Sequence, residues 1–197
     1  MTTTDATVRR RLRRQGFVLE WITLGWNVVG IFVLATAAVA ARSVALAGFG
    51  LDSLIEIGAS TVVIWELTGT GEARQRRAFR MIGVAFLALA AYLIVQSAVV
   101  LIAGWHPRHS PLGIAWTAAT AAVMLSLAAG KARVGCALDN PVLRTEGRVT
   151  LIDAMLATAV LGGLVLNAAL GWWWADPLAG LVLVHYATVE GRAALKH

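Results

Sequence analysis

Hydrophobic residues along this chain fall into six long runs, separated by short segments rich in charged residues. The first five runs are long enough to cross about 30 Å of hydrocarbon, which takes roughly 20 helical residues. The sixth is shorter, but Glu190 and Arg192 can snorkel at its end. The pattern predicts an all-α polytopic membrane protein with six transmembrane helices, near residues 15–41, 43–65, 81–105, 110–130, 149–175 and 177–189.

Composition agrees with a membrane protein. Of the 197 residues, 58% are hydrophobic and only 14% are charged, unlike an ordinary soluble domain. We predict a basic N-terminal segment, residues 1–16, followed by a six-helix domain, residues 17–195. The first run is 27 residues long, whereas the apolar part of a signal peptide has about 7 to 15. We therefore expect the first helix to stay uncleaved.

The basic residues are distributed unequally between the predicted loops. Fifteen of the 17 Lys and Arg lie in alternate segments, namely the N-terminus, 66–80, 131–148 and the C-terminus, and only Arg42 and Arg108 lie in the others. Short cytoplasmic loops collect Lys and Arg, so both termini are predicted to be cytoplasmic, in the plasma (inner) membrane. This topology accounts for the net charge of +6 without a nucleic-acid partner.

Four acidic residues lie inside the predicted spans: Glu20, Asp52, Glu56 and Asp153. An ionised carboxylate inside a membrane costs a few kcal/mol or more, so such residues indicate a functional site. Residues four apart lie on one face of a helix, which places Asp52 and Glu56 together. All basic residues lie outside the predicted spans, so we expect Asp52, Glu56 and Asp153 to have no buried Lys or Arg partner.

A second polar stripe follows the fifth span. Glu146, Thr150 and Asp153 fall on one side of a helix. Asp153 and Glu56 lie at similar predicted depths, so the two stripes are expected to face each other. Carboxylates that gather in a low dielectric repel one another and must bind protons or a cation. Their oxygens are suitable ligands for hard divalent cations and for zinc.

Three segments resemble the transmembrane domain of the cation diffusion facilitators. They read "SVALAGFGLDSLIEIGAS" at 43–60, "RTEGRVTLIDAM" at 144–155 and "GWWWADPLAGLVLV" at 171–184. The resemblance implies a six-helix metal/proton antiporter with cytoplasmic termini that is typically a homodimer. It also implies that the sixth helix packs with the third. Because the chain ends just after the sixth run, we expect a short form without the family's cytoplasmic domain.

The resemblance also implies a transport site. The family takes two ligands four residues apart from the second helix, which match Asp52 and Glu56, and two from the fifth, of which the last matches Asp153. The other position holds Val149, which cannot bind a metal ion, and His185 in the sixth span is a weaker candidate. Water can fill the missing position, or one of the secondary candidates Glu20, Glu146 and Thr150.

The predicted function is export of a divalent cation by proton antiport. Zinc is the first expectation, with manganese, iron or cobalt as alternatives, and we expect no cofactor. No nucleophile and base pair, phosphate loop or cofactor motif is present in the sequence, so an enzyme is not expected. Two alternatives stay open: a membrane scaffold that transports nothing, and a proton-coupled carrier of organic cations.

Three smaller features complete the predictions. The small residues Gly162 and Gly163 permit close approach of helices, between subunits or within one. His106 and His109 are expected to lie in a solvated loop. Cys136 is the single cysteine, so one chain forms no disulfide.

Overall fold

The computed structural model describes residues 3–41, 43–68, 72–104, 108, 110–172 and 174–196. For residues 3–6, 44, 45, 48, 55, 175–183 and 186 it describes the backbone alone. The described residues form helices and no strand, which confirms the all-α prediction. The helices are α1 (Thr3–Ala41), α2 (Val44–Leu67), α3 (Glu72–Ala103), α4 (Pro111–Leu138), α5 (Pro141–Leu170) and α6 (Ala175–Ala194).

Four of these helices are long and apolar enough to cross a membrane, which indicates a membrane protein. They are α1 over Thr7–Ala41, α3, α4 and α5. The other two predicted spans coincide with α2 and α6. Several side chains of these two helices lie outside the described part of the chain, and their crossing of a membrane stays a prediction, as does the orientation of the termini.

Helices α1, α3, α4 and α5 each extend by eight or more residues, at one end, beyond the apolar run that predicted them. The predicted basic loop 131–148 is wrong, because only Asp139 and Asn140 separate α4 from α5. Asp139 adopts a left-handed conformation with φ of 51°, and the Asn140 side chain accepts a hydrogen bond from the Leu143 N–H at 2.9 Å. Similarly, the arginines assigned to the loop 66–80 lie on the first turns of α3. At the N-terminus, α1 is continuous across the predicted boundary at residue 17.

One end of the bundle carries most of the arginines, and contacts between helix ends define it. Arg13 of α1 donates a hydrogen bond to the carbonyl of Leu67 at the end of α2, at 2.5 Å. The Asn140 amide donates to Glu66 at 3.0 Å, and Arg148 forms an ion pair with Glu190 of α6 at 3.1 Å. We call this the arginine-rich end.

The six helices pack in two groups. Helix α1 contacts α2 and α4, while α5 contacts α2 and α4, so these four surround a common interior. Helix α3 packs along α6. The α3–α6 approach is close, since a Cβ atom added at Gly191 would lie 2.9 Å from the Cβ of Phe86 and 3.2 Å from the carbonyl oxygen of Gly83. The acidic residues singled out in the sequence lie in the four-helix interior.

Candidate functional site

The middle of the four-helix interior contains Asp52 and Glu56 of α2 and Asp153 of α5, which we call the acidic layer. These side chains are 1%, 1% and 2% exposed, respectively. Helices α2 and α5 are in contact, and the carboxyl groups of Asp52 and Asp153 lie within electrostatic range of each other. Two carboxylates this close in a low dielectric repel each other unless a proton or a cation is bound. The predicted meeting of the two stripes is therefore present in the fold.

Glu56 lies one helical turn from Asp52, toward the arginine-rich end. Among the described residues, neither of its carboxyl oxygens has a hydrogen-bond partner. Its carboxyl group lies within electrostatic range of Asp153, Glu146 and Lys131. A buried carboxyl group without hydrogen bonds is costly, so Glu56 is the group in this interior with most to gain from a proton or a cation.

A second group of polar side chains lies between the acidic layer and the arginine-rich end, and we call it the lysine layer. It consists of Glu20 of α1, Lys131 of α4, and Glu146 and Thr150 of α5, all fully buried. The Lys131 ammonium lies 2.5 Å from Glu146 Oε1 and 3.2 Å from Glu20 Oε2. It also donates to the Thr150 hydroxyl at 3.0 Å, and that hydroxyl donates to Glu146 Oε1 at 3.1 Å.

Lys131 corrects one prediction. The sequence pattern placed it in a loop, and that expectation is wrong. The expectation that Asp52, Glu56 and Asp153 have no buried basic partner is not contradicted, because the ion pairs of Lys131 are with Glu20 and Glu146. Helix α4 continues past Lys131 to Leu138. The buried face of α4 recurs every three or four residues, and Lys131 falls on it after Met124 and Ala128 and before Val134. If the periodicity of the buried positions is continued past the end of the apolar run, it places Lys131 on the buried face of α4.

The two layers together hold more negative than positive groups. In the described interior there are five buried carboxyl groups and a single buried ammonium. Within the lysine layer one cation is shared between two carboxylates, and Glu20 has no hydrogen bond to either oxygen in the part of the chain described here. In a low dielectric this imbalance cannot persist as free charge. Protons or an external cation must neutralise the remaining carboxyl groups.

Further polar groups lie in the interior on α1 and α4. Asn27 of α1 is 2% exposed and donates to the Thr23 carbonyl at 3.0 Å. Trp26 stacks on Trp116 of α4 with ring centroids 4.9 Å apart, and its indole N–H donates to Thr120 at 3.1 Å. Asn27 was not predicted as a buried polar residue, although an amide within an apolar run was a signal for it.

The structure places all six predicted site residues inside the bundle. Asp52, Glu56 and Asp153 lie together, whereas the secondary candidates Glu20, Glu146 and Thr150 surround Lys131. Across the described residues, no three His, Cys, Asp or Glu are grouped closely enough to hold a metal ion. Metal binding by these residues therefore stays a prediction.

The remaining candidates are distributed elsewhere. Val149 is 2% exposed and packs in the apolar core, so it offers no ligand atom. His185 is exposed on α6. Gly162 has open space around its Cα, with no atom within 4 Å of an added Cβ, whereas Gly163 is buried. His106 and His109 lie outside the described residues.

Comparison with known proteins does not assign the chain. A scan against protein-family models finds no match, and a search of curated proteins finds none either. The resemblance to cation diffusion facilitators therefore stays a prediction based on the sequence segments quoted above.

Proposed function

We propose that this protein is a proton-coupled transporter of a divalent metal cation, similar to the cation diffusion facilitators, with zinc as the first candidate. The observation that supports the proposal is the charge imbalance of the interior, five carboxyl groups against one ammonium. A purely structural core would gain stability from replacing such groups by apolar ones. A transporter needs them, because its cargo and its coupling protons bind to the same oxygens.

The acidic layer suggests how the exchange occurs. When no metal is bound, Asp52 and Asp153 hold a shared proton, and Glu56 binds a second. A divalent cation that enters the layer displaces these protons, since carboxylates bind metal in the deprotonated form. Return of protons from the other side releases the cation. Asp52, Glu56 and Asp153 thus bind protons in one state and the metal cation in the other.

The energetics favour exchange over leakage. Moving a divalent cation outward against a potential of 100 mV costs about 4.6 kcal/mol, while each proton that enters returns about 2.3 kcal/mol. Exchange of one divalent cation for two protons is electrically neutral. Such a cycle would export metal from the cytoplasm with the proton gradient as its driving force.

The packing of the helices also supports the proposal. The resemblance implies that the sixth helix packs with the third, and α6 packs along α3. We also propose a homodimer, as the resemblance implies. The open surface at Gly162 is a position where a second copy would approach closely, and cysteine cross-linking at residue 162 in native membranes tests it.

Proton flux in liposomes tests the transport proposal. The purified protein is reconstituted with an internal pH dye, and Zn²⁺, Mn²⁺, Fe²⁺ or Co²⁺ is added outside. We expect proton movement that depends on metal, and its loss in Asp52→Asn and Asp153→Asn. Asp139→Asn, an exposed position in the α4–α5 turn, is the matched control. Normal flux in both interior variants would rule out the acidic layer as the transport site.

A second candidate function is supported by the lysine layer. Lys131 shows that this interior accommodates an ammonium group between carboxylates, and the described residues present no group of three metal ligands. A proton-coupled carrier of organic cations would fit both facts. Proton flux driven by a polyamine and insensitive to zinc would favour this carrier over the metal antiporter. No flux with either class of cation would favour a scaffold.

A further inference from the structure

A groove of about 690 Å³ lies between α1 and α4 at the arginine-rich end. Arg11 and Arg14 of α1 and Arg133 of α4 line it. The three side chains are exposed, and none forms an ion pair with a described carboxylate. Their neighbour Arg13 differs, because it is hydrogen-bonded to the Leu67 carbonyl at the end of α2. The groove therefore has three positive charges available to an anion.

The rest of the groove is almost entirely apolar. Leu12, Val18 and Leu19 of α1 line one wall, and Val134 and Ala137 of α4 line the other. A soluble anion such as inorganic phosphate gains nothing from these residues. A ligand that fills the groove must combine a negative group near the arginines with a hydrocarbon chain along the walls.

We propose that this groove binds an anionic phospholipid of the leaflet at the arginine-rich end. The phosphate lies among Arg11, Arg14 and Arg133, and an acyl chain lies along Leu19 and Val134. Two facts support this ligand. Basic pockets between transmembrane helices at the membrane surface suit anionic lipid head groups, and α1 and α4 are both long and apolar enough to cross a membrane.

The residues that form the walls of the groove are next to residues of the lysine layer. Leu19 precedes Glu20 in α1, and Gly130 precedes Lys131 in α4. The two helices are in tight contact here, since a Cβ atom added at Gly130 would lie 3.0 Å from Leu19 Cδ2. A lipid bound across α1 and α4 holds together the same two helices that the Glu20–Lys131 ion pair joins. Lipid binding is thus expected to stabilise that pair.

Native mass spectrometry of the full chain tests the proposal. Detergent-purified protein is titrated with phosphatidylglycerol, with phosphatidylcholine of the same acyl chains, and with soluble glycerol phosphate. Arginines near a membrane surface attract anionic lipids, so we expect phosphatidylglycerol to bind at least ~10-fold more tightly than phosphatidylcholine. Glycerol phosphate should not compete.

Two variants and a control locate the binding. The Arg11→Gln/Arg14→Gln/Arg133→Gln variant should lose the preference for phosphatidylglycerol. Ala137→Trp fills the groove but keeps the arginines, and it should weaken the binding of phosphatidylglycerol as well. The control removes three arginines of α3 outside the groove, Arg76, Arg77 and Arg80, and should bind as the unmodified protein does. An equal loss in the control, normal binding by Ala137→Trp, or displacement by glycerol phosphate would each overturn the proposal.

Discussion

The lysine layer and the acidic layer both bury carboxyl groups between the same helices, but they neutralise them by different means. In the lysine layer, Glu146 is hydrogen-bonded to an ammonium that belongs to the chain itself. In the acidic layer, Asp52 and Asp153 face each other, and among the described residues Glu56 has no hydrogen-bond partner. A tethered cation cannot leave, whereas a proton or a metal ion can. The lysine layer is thus a fixed ion pair that holds helices together, whereas the acidic layer can exchange the positive charge that it binds.

Removal of the tethered cation should have the largest effect on stability. Lys131→Met leaves Glu20 and Glu146 buried without a cation, and removal of one partner from a buried ion pair typically costs about 3–5 kcal/mol. Thermal unfolding in detergent, followed by tryptophan fluorescence, measures the loss. Arg77→Met, at an exposed position on α3, is the control. A triple variant with Glu20→Gln and Glu146→Gln added should recover much of the stability, and a Lys131→Met protein as stable as the control would refute the role of the lysine layer.

The two carboxylates of the lysine layer should differ from each other. Glu146 has a hydrogen bond to Lys131 at 2.5 Å, while the Glu20 oxygen lies 3.2 Å away without hydrogen-bond geometry. Charged hydrogen bonds are worth about 1.5–3 kcal/mol, so Glu146→Gln should destabilise the protein by that amount and Glu20→Gln by less. The same thermal unfolding assay compares them. The reverse order would contradict the geometry, and a large loss of transport in Glu20→Gln with normal stability would make Glu20 a ligand of the cargo.

Glu56 should affect transport much more than stability. Gln resembles a protonated Glu in size and hydrogen bonding but cannot release a proton, so Glu56→Gln should reduce metal-driven proton flux at least ~10-fold, a factor that corresponds to about 1.4 kcal/mol. Its unfolding temperature should equal or exceed that of the unmodified protein. Glu72→Gln, with a side chain that is 90% exposed, is the matched control. A strongly destabilised Glu56→Gln protein would make the acidic layer structural, like the lysine layer.

The smallest effect is expected from adding a ligand to the acidic layer. Val149 lies one turn from Asp153 on α5, where the cation diffusion facilitators that the sequence resembles have a ligand. Val149→His offers an imidazole nitrogen, which zinc accepts, but it also replaces an apolar side chain that is only 2% exposed. We expect zinc to bind a few-fold more tightly, as measured by competition with a fluorescent chelator. Val149→Gln, which is polar but a poor zinc ligand, serves as the control, and equal affinity in both variants would contradict the prediction.

The acidic layer was largely predictable from the sequence, for a simple geometric reason. The spacing of Asp52 and Glu56 fixes them on one face of a helix whatever the rest of the fold does. Asp153 required one further assumption, that the polar stripes of two helices face each other, and α2 does contact α5. The apolar runs also located all six helices, because an apolar helix surface must either be buried against other helices or face lipid.

The lysine layer was not predicted, because a charged residue that follows an apolar run predicts the end of a membrane span. A Lys after a long apolar run usually marks the membrane surface, and Lys131 follows such a run. Whether it is exposed or buried depends on the helices beside it, here Glu20 of α1 and Glu146 of α5. That information lies in tertiary packing. The two-residue turn at Asp139 and Asn140 was missed for the same reason.

The short turn between α4 and α5 has a consequence for how the protein enters the membrane. Lys131 and Glu146 are only 15 residues apart, and the tight turn brings them together as soon as both helices have been synthesised. A helical hairpin of this kind can insert as one unit, with the two opposite charges already paired. Each charge alone would add to the cost of insertion, although by less than the roughly 2.5–3.5 kcal/mol of a charge at the centre of a helix, because both residues lie nearer a helix end. The pair instead presents the insertion machinery with a net charge of zero at this position, before Glu20 or any other helix has to be in place.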